Sequence, residues 1–499
     1  MTAAFDFVCR HRTLLLGFAA VLVIADVVWV AGTYLVYPGY LDHGEPSVTL
    51  ISWLLLDGAP AFPEIGAPIL TGNVYGPLTY VVHALSFLLF GPTIMAGKAA
   101  SFLAVVLIPV LIFLSHRPRG IEAAAVGTIL GAGLVLFHIP YSIWNRPDAF
   151  ITLLGVVAVW LTNASDPKRP EWTKSIAIAL AAGVAVSMKF HAGAYFAPVV
   201  IFHCMHQRRG FKTFAAMAVV GLGVVLLPFA FSVFSLSNFI TWISALLGKD
   251  HPIAYASKFA RYGIIYAMPT LFFAAAWRWS GKRIEIPEKV YFWTFVVSFI
   301  VILGPATKVG AGTHYFLPFL AVLVDLILRN AGRLKKHETW VWGLAGILCA
   351  GILIVGVPVQ KRFFRALHWQ EVTAIQSEIR AIMATYPDRT IEMGIGQDLT
   401  VYPRTYYRTM LVFGGHPYTV DYAPAMELTM LKVPLPDDLL SLLRGCSTDI
   451  WLVPKGEPPF TMPGYYGPPT LDRTFSQTFK VSYAKATSYK FFDVWACKQ

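Results

Sequence analysis

The sequence contains few charged residues, which make up 14% of its 499 positions. A soluble enzyme carries roughly 25% charged residues, so this shortage excludes the class of soluble globular enzymes. Hydrophobic residues account for 56% of the chain, and the mean hydropathy is +0.59. Together with long uncharged runs, these values predict a polytopic α-helical membrane protein.

Cysteine is also scarce, since there are five in the chain, and their spacing matches no zinc site. Cys446 and Cys497 adjoin two predicted strands in a polar C-terminal region. We predict a disulfide between them if that region lies in an oxidising compartment. Two buried free thiols are the alternative. No Gly-rich phosphate loop is present, which argues against nucleotide chemistry.

The net charge of +12 results from basic residues that lie mostly in short loops between apolar runs. In a soluble protein this charge would suggest nucleic acid as a partner. In a membrane protein, loops rich in Lys and Arg stay in the cytoplasm and contact anionic lipid, so no nucleic-acid partner is predicted. Arg10 and Arg12 accordingly predict a cytoplasmic N-terminus.

Apolar runs of about 20 residues, combined with the charge rule for loops, predict about eleven transmembrane helices. The predicted spans are 13–37, 93–114, 121–143, 149–164, 175–190, 193–206, 213–235, 262–277, 290–306, 315–328 and 339–358. A first outer loop, 38–92, contains two shorter apolar stretches, "VTLISWLLLDG" and "VYGPLTYVVHALSFLLFG", which we predict to be interfacial helices.

The composition changes after the last span, which predicts a boundary between a membrane domain, 1–359, and a tail domain, 360–499. Apolar residues in "QEVTAIQSEIRAIMATY" have helical spacing. The stretches "TIEMGIG", "DIWLVPKG" and "KFFDVWAC" are typical of short strands bounded by turn residues. We therefore expect a small α/β domain on the outer, extracytoplasmic side.

Two acidic motifs are expected at the outer ends of spans. The first is "YLDHGEPSV", with Asp42, His43 and Glu45, and the second is "NRPDAF", with Arg146 and Asp148. A solvated loop and a turn with an ion pair are the structural alternatives. The functional hypothesis makes one carboxylate a general base and lets Arg146 meet an anionic group.

Two cationic motifs are expected at the same side. "SMKFHAG" contains Lys189 and His191, and "ATKVGAGTHYF" contains Lys308, His314 and Tyr315. These residues could bind a phosphate, or they could be a lysine that reaches toward water and a loop histidine. Weaker candidates, or residues expected to serve packing, are Lys249, Asp250, His251, Asp26 and Asp325.

Acids and cations together at one interface suit an anionic, lipid-linked substrate and a step that needs a base. A lipid or solute transporter or flippase is the main alternative, because such groups also serve transport. Transport needs access to both faces, whereas these candidates are predicted on the outer face alone. An assembly subunit with a decayed motif is a third alternative.

The order of these motifs resembles the GT-C superfamily of membrane glycosyltransferases over about the first 330 residues. The resemblance depends on the acidic motif after the first span, followed in order by "LLLDG", "VYGPLTYVV", "SHRPRG", "NRPDAFITLLGVVAVWL", "MKFHAGAY" and "THYFLPFL". It is most similar to the branch with the lipid A aminoarabinose transferases and the protein O-mannosyltransferases.

The resemblance implies transfer of a sugar from a polyprenyl-phosphate donor, with inversion, on the periplasmic side of a bacterial inner membrane. The acceptor would be a lipid, a polysaccharide or a protein. The family's first-loop acid, its base, corresponds to Glu45 by spacing and to Asp42 by residue type, and the second acid corresponds to Asp148. No cofactor is implied, although two acids would also suit a divalent metal.

Some relatives carry a phosphate-binding lysine just before the proline of "YGPL", where this chain has Gly76. Lys189, Arg146 or His314 would then bind the donor phosphate in its place, and His191 and Tyr315 are further candidates for this role.

Overall fold

In a computed structural model, most of the chain forms a bundle of helices, and a smaller C-terminal region is built on a β-sheet. The structure describes residues 2–67, 69–72, 74–164, 171–247, 254–279, 283–308, 311–334, 338–464, 467 and 469–498. The helices are α1 (Thr2–Val36), α2 (Gly44–Leu54), α3 (Pro77–Phe90), α4 (Ile94–His116), α5 (Ile121–Phe137), α6 (Asp148–Asn163), α7 (Trp172–Met188), α8 (Gly193–His206), α9 (Gly210–Leu226), α10 (Leu236–Leu247), α11 (Ala254–Trp279), α12 (Ile286–Ala306), α13 (Leu320–Ala331), α14 (Glu338–Ala366), α15 (Trp369–Thr385), α16 (Arg408–Phe413), α17 (Tyr422–Met430), α18 (Asp437–Arg444) and α19 (Arg473–Ser482).

Five helical segments in the described ranges are long and apolar enough to cross a membrane. They are His11–Val36, Ile94–Arg119, Gly210–Ala230, Ile286–Ala306 and Thr313–Ala331. Large apolar side chains on them are exposed, among them Phe211, Val219 and Leu222 of α9. Such a surface suits lipid, because a helix satisfies its own backbone groups there. The chain is an integral membrane protein, and the number of about eleven spans stays a prediction.

Helix α5 ends at Phe137, so the predicted span 121–143 is too long. Pro140 explains the end, because proline has no backbone N–H and clashes with the preceding helical turn. The chain then runs through turns from position 138 to 147 before α6 begins. These turns carry Tyr141, Trp144 and Arg146 to the bundle end where the first outer loop lies.

Both helices predicted for the first outer loop are present. Residues 44–52 of α2 are buried, so α2 is an internal wall of the protein. Pro77 opens α3, where its missing N–H costs no helical hydrogen bond. α3 packs on α2, α4 and α7, and its C-terminal residues Leu88, Leu89 and Phe90 are exposed.

The C-terminal sheet contains β1 (Ile391–Met393), β2 (Ile450–Pro454), β3 (Tyr483–Ser488) and β4 (Phe492–Cys497) in the order β1-β2-β4-β3. β1 pairs with β2 in parallel, and the other two pairs are antiparallel. The strands in "TIEMGIG", "DIWLVPKG" and "KFFDVWAC" were predicted, and α15 covers the predicted helix. The sequence pattern missed β3, whose residues after Tyr483 are exposed.

The disulfide and the domain boundary predicted for this region can be compared with the structure. Cys446 and Cys497 form the predicted disulfide, with their Cα atoms 5.9 Å apart. Helix α14 continues to Ala366 and so runs through the predicted domain boundary at position 359.

The C-terminal region is anchored to the first outer loop by backbone and side-chain contacts. Leu70 N donates to Thr419 O at 2.8 Å, and Asp421 N donates to Leu70 O at 2.8 Å. Arg408 pairs with Asp421 at 3.0 Å, and both side chains are buried. Asp421 also caps α17. These contacts hold α17 over the end of the bundle where the predicted site residues lie.

Candidate active site

A cavity of about 440 Å³ lies where the first outer loop, the turns after α5, the α7–α8 connection and the segment before α13 meet. Its lining includes eight residues of the predicted acidic and cationic motifs, namely Asp42, His43, Arg146, Lys189, His191, Lys308, His314 and Tyr315. Asp148 reaches the cavity through its contact with Lys189. Residues that are far apart in the sequence therefore converge at one end of the bundle.

Asp42 and Arg146 form an ion pair at one wall of the cavity. The Asp42 Oδ1 atom also accepts a hydrogen bond from Gly44 N at 2.8 Å, and the Arg146 guanidinium lies 4.6 Å from the centre of the Trp144 ring. Burial raises the pKa of the Asp42 carboxyl, but Arg146 and His43 outweigh it, so the pKa is lowered overall. Asp42 is therefore ionised at neutral pH.

Asp148 and Lys189 form a second, more deeply buried pair. The Lys189 Nζ atom donates to Asp148 Oδ1 at 2.8 Å and lies 4.2 Å from the centre of the Tyr315 ring. Asp148 begins α6, where the helix dipole favours a negative charge. Asp148 Oδ2 is buried and has no hydrogen-bond partner among the described residues.

Aromatic and imidazole rings also line the cavity. His191 stacks on Tyr315 with ring centres 4.9 Å apart, and His314 lies against Tyr141 at 5.4 Å. Burial and the nearby Lys189 lower the pKa of His191 to about 3, so its ring is neutral at physiological pH. Within the described ranges, His191 Nε2 and His314 Nδ1 are buried without a hydrogen-bond partner. These nitrogens can therefore serve a ligand.

Glu45 differs from Asp42 because it does not line this cavity. It is 0% exposed, and its carboxylate accepts hydrogen bonds from Tyr34, Leu41 and Asn145. The structure thus separates the two acids of the first motif, with Asp42 at the cavity wall and Glu45 in the interior.

Gly76 occupies the position where some relatives carry a lysine, and the packing explains why a side chain is excluded. A Cβ atom at Gly76 would lie 2.0 Å from Ser187 O. Gly76 N donates to Met188 O at 2.8 Å. This close contact sets the segment before α3 against the end of α7, directly before Lys189.

Several cavity residues were not predicted from the sequence. Tyr75, Trp144 and Trp242 line the cavity, and so does Glu427 of α17. Tyr141 and Trp144 could have been identified from the sequence, because they lie between Pro140, which ends a helix, and the acidic motif "NRPDAF". Aromatic side chains at such a position suit a binding site. The position of Glu427 depends on how the C-terminal region packs against the first outer loop, and a local sequence pattern cannot predict that packing.

Other predicted residues lie elsewhere. Asp325 is bound by Arg119 at 2.8 Å and Arg329 at 2.7 Å, beside Asn163 at the far end of α6. Asp26 accepts a hydrogen bond from Gln360 Nε2 at 2.8 Å. Both acids therefore serve packing in the bundle. The weaker candidates Lys249, Asp250 and His251 lie outside the described residues.

The residues of the described ranges contain no group of three or more His, Cys, Asp or Glu side chains arranged to hold one metal ion. The metal requirement stays a prediction.

A second cavity of about 1090 Å³ adjoins the first, and Tyr141, Ala311 and Gly312 line both. Its remaining walls are largely apolar and come from α5, α11 and α14. They include Phe137, Ile139, Pro140, Tyr262, Ile354, Val355, Pro358, Val359 and Phe363, with Arg362 also present. A polar cavity lined by eight predicted residues thus adjoins a larger, mostly apolar one.

Comparison with known proteins gives matches by sequence and by structure. The family model for dolichyl-phosphate-mannose-protein mannosyltransferase matches residues 74–234. The undecaprenyl phosphate-alpha-4-amino-4-deoxy-L-arabinose arabinosyl transferase of Aeromonas salmonicida is 26% identical over 311 residues, which are 55% of this chain and 55% of that protein. The chain thus spans about half the length of the curated relative it matches.

Two crystal structures of ArnT from Cupriavidus metallidurans have a similar fold. The structure bound to undecaprenyl phosphate matches with a TM-score of 0.60 and 12% identity, over 95% of this chain and 97% of that one. The apo structure matches with a TM-score of 0.60 and 13% identity over the same shares. At this identity the likeness concerns the fold alone. Taken with the sequence matches and the order of its motifs, it confirms the predicted resemblance of the chain to the GT-C superfamily of membrane glycosyltransferases.

Proposed function

We propose that the protein transfers a sugar from a polyprenyl-phosphate donor to an acceptor on the periplasmic side of an inner membrane. The observation that carries this proposal is that one cavity holds two acid–cation pairs, Asp42 with Arg146 and Asp148 with Lys189. The cations suit a phosphate and the acids suit an acceptor hydroxyl and sugar hydroxyls.

The donor phosphate is assigned to Arg146, Lys189 and His314. Arg146 Nε and His314 Nδ1 have no hydrogen-bond partner in the described part of the chain, so both can face phosphate oxygens. Lys189 uses one of its three N–H groups on Asp148. His191 and Tyr315 complete this wall. The adjoining apolar cavity suits the hydrocarbon chain of the same donor.

The proposed step is a single displacement with inversion. The acceptor oxygen attacks the anomeric carbon and forms the new C–O bond, while its proton passes to the Asp42 carboxylate. The bond from the anomeric carbon to the phosphate oxygen breaks, and its electron pair leaves with the polyprenyl phosphate. Fixed cations stabilise that developing charge in a water-poor cleft. Asp148 holds Lys189 and offers its second oxygen to the sugar.

The proposed orientation has a cytoplasmic N-terminus and a periplasmic C-terminal domain. The disulfide between Cys446 and Cys497 supports it, because disulfides persist in oxidising compartments. Ala423, Pro424 and Glu427 of α17 line the cavity, so this domain contributes to the choice among a lipid, polysaccharide or protein acceptor.

The test uses purified protein in lipid with a panel of hexosyl and pentosyl undecaprenyl phosphates. Asp42→Asn and Asp148→Asn should each lower transfer by about 10²- to 10⁴-fold, because they remove acid–base and charge-holding groups. Asp398→Asn, at an exposed acid, is the matched control and should transfer at the normal rate. Normal transfer by both cavity variants would contradict the proposal.

The transporter alternative is tested in the same preparation. Candidate residues in the described ranges gather at one end of the bundle, whereas Asp325 and its arginines fill the other end. Movement of a labelled polyprenyl phosphate across vesicles, without sugar transfer, would favour transport.

A further inference from the structure

Glu45 joins the two loops that carry the first acid–cation pair. Its Oε2 atom accepts a hydrogen bond from Leu41 N at 3.1 Å, and Leu41 directly precedes Asp42. Its Oε1 atom accepts one from Asn145 N at 3.0 Å, and Asn145 directly precedes Arg146. One buried carboxylate therefore fixes the backbone next to Asp42 and the backbone next to Arg146.

The other contacts of Glu45 and Asn145 lock this arrangement from both sides. Tyr34 donates its hydroxyl to Glu45 Oε2 at 2.5 Å. The Asn145 side chain donates to Thr49 Oγ1 at 2.6 Å, one helical turn after Glu45 on α2. Every one of these residues except Leu41 is fully or almost fully buried. Buried hydrogen-bonded groups of this kind rigidify the backbone that they bind.

Lys98 provides the positive charge beneath this network. It is 1% exposed, on α4, and its Nζ atom donates to the carbonyls of Tyr34 at 3.1 Å, Tyr37 at 2.8 Å and Gly39. These carbonyls belong to the end of α1 and the residues after it, which lead directly into Asp42. A cation is favourable there, because the last carbonyls of a helix lack partners. Lys98 thus holds the entry to the loop and offsets the buried Glu45 charge.

We propose that Glu45, supported by Lys98, is a positioning residue that sets the geometry of Asp42 and Arg146 relative to each other. This inference rests on the proposed function. It assigns the first-motif acids different roles, with Asp42 touching the substrate and Glu45 acting through the backbone on either side of the pair.

The decisive comparison is between Glu45→Gln and Asp42→Asn. Glu45→Gln keeps the shape but replaces one acceptor oxygen with an NH2 group, so it cannot accept from Leu41 N and Asn145 N together, and the two loops are no longer held in register. Because misplacement of about 1 Å costs on the order of 10²-fold, kcat should fall by about 10- to 100-fold. The KM for the donor should rise as well, because Arg146 moves. Asp42→Asn should lower kcat further while leaving donor affinity intact.

The double variant with both substitutions separates the two roles. If Glu45 acts only through the placement of the pair, adding Glu45→Gln to Asp42→Asn should lower kcat little below that of Asp42→Asn alone. The opposite pattern overturns the inference: Glu45→Gln abolishing turnover with donor affinity kept, while Asp42→Asn still transfers. Normal transfer by both single variants would instead sink the proposed function.

Asp325→Asn is the control for a merely structural buried acid. Asp325 lies near the last residue of α6 and Asp148 is the first, so about 22 Å of helix separates it from the site. This variant should lose stability without a change in the donor KM. If Glu45→Gln alone does not fold, Glu45→Gln with Lys98→Met removes both buried charges together and should recover folded protein. That protein should still show the raised donor KM, and a normal KM would overturn the inference.

Discussion

Removing the amine of Lys189 should damage both the stability and the donor binding of the protein. In Lys189→Met, Asp148 would remain 1% exposed and lose its ion pair with the lysine. Removing one member of a buried pair costs about 3–5 kcal/mol, because the other charge stays desolvated. If the donor phosphate also contacts this amine, loss of a charge-assisted hydrogen bond should weaken donor affinity by about 10- to 100-fold.

The two effects can be separated by the double variant Asp148→Asn with Lys189→Met. It leaves no unpaired charge, so most of the lost stability should return, whereas donor affinity should remain low. Lys174→Met is the matched control, because Lys174 pairs with Glu171 at 2.9 Å but lies near the surface with 29% of its side chain exposed. A surface pair contributes about 0–1 kcal/mol.

The assay combines denaturant or thermal unfolding in detergent with titration of undecaprenyl phosphate. A free energy of unfolding for Lys189→Met within about 0.5 kcal/mol of that of the unmodified protein, the range of neutral surface changes, would contradict the expected cost of breaking a buried pair. Normal binding of undecaprenyl phosphate by the double variant would contradict the assignment of Lys189 to the donor phosphate.

Three other predictions concern single features of the fold. Gly76→Ala should lower both the melting temperature and sugar transfer, because its Cβ atom would lie 2.0 Å from Ser187 O. Gly223→Ala, whose Cβ atom on α9 would meet open space, is the control and should melt at the same temperature as the unmodified protein. The pKa of His191 is lowered to about 3 in the folded protein, against roughly 6.5 in the unfolded chain, so the folded state loses stability as the pH falls below about 6.5. His191→Gln should reduce the stability lost between pH 7 and pH 5 by about 2 kcal/mol. An unchanged pH dependence of unfolding would contradict this. Cys446→Ser should lower the stability of the C-terminal region by about 4 kcal/mol, and its partner thiol should react with a label without reductant, whereas equal stability would argue against the bridge.

The helices could be predicted from the sequence because side chains that are buried or face lipid must be apolar, and long apolar runs therefore mark the helices. The bounds of α6, α8 and α12 lie within a few residues of the predicted spans. The end of α5 was missed, although Pro140 marked it, because the apolar run continues through Ile143. Strand β3 was missed for the opposite reason, since its exposed residues have no apolar alternation to detect.

The site residues could be predicted as types and as a cluster at one end of the bundle, because ionisable groups beside apolar runs are costly and call for a function. Their pairing could not. That Asp42 meets Arg146, and that Glu45 turns inward instead, depends on how the first loop docks on the turns after α5. Lys98 could have been singled out from the sequence. A lone lysine in an apolar helix needs buried polar partners, and here these are carbonyls at the end of α1 and just after it.

The placement of α17 has a consequence for how the shape of the cavity could change. Ala423, Pro424 and Glu427 line the cavity but belong to a single nine-residue helix, which Asp421 and Arg408 hold from its start. Glu427 is half-buried and lines the cavity, so substitutions at this position would reshape the cavity while keeping the charged pairs supplied by the bundle. On the proposed function, a change in this small helix could alter the choice of acceptor while the residues proposed to bind the donor stay the same.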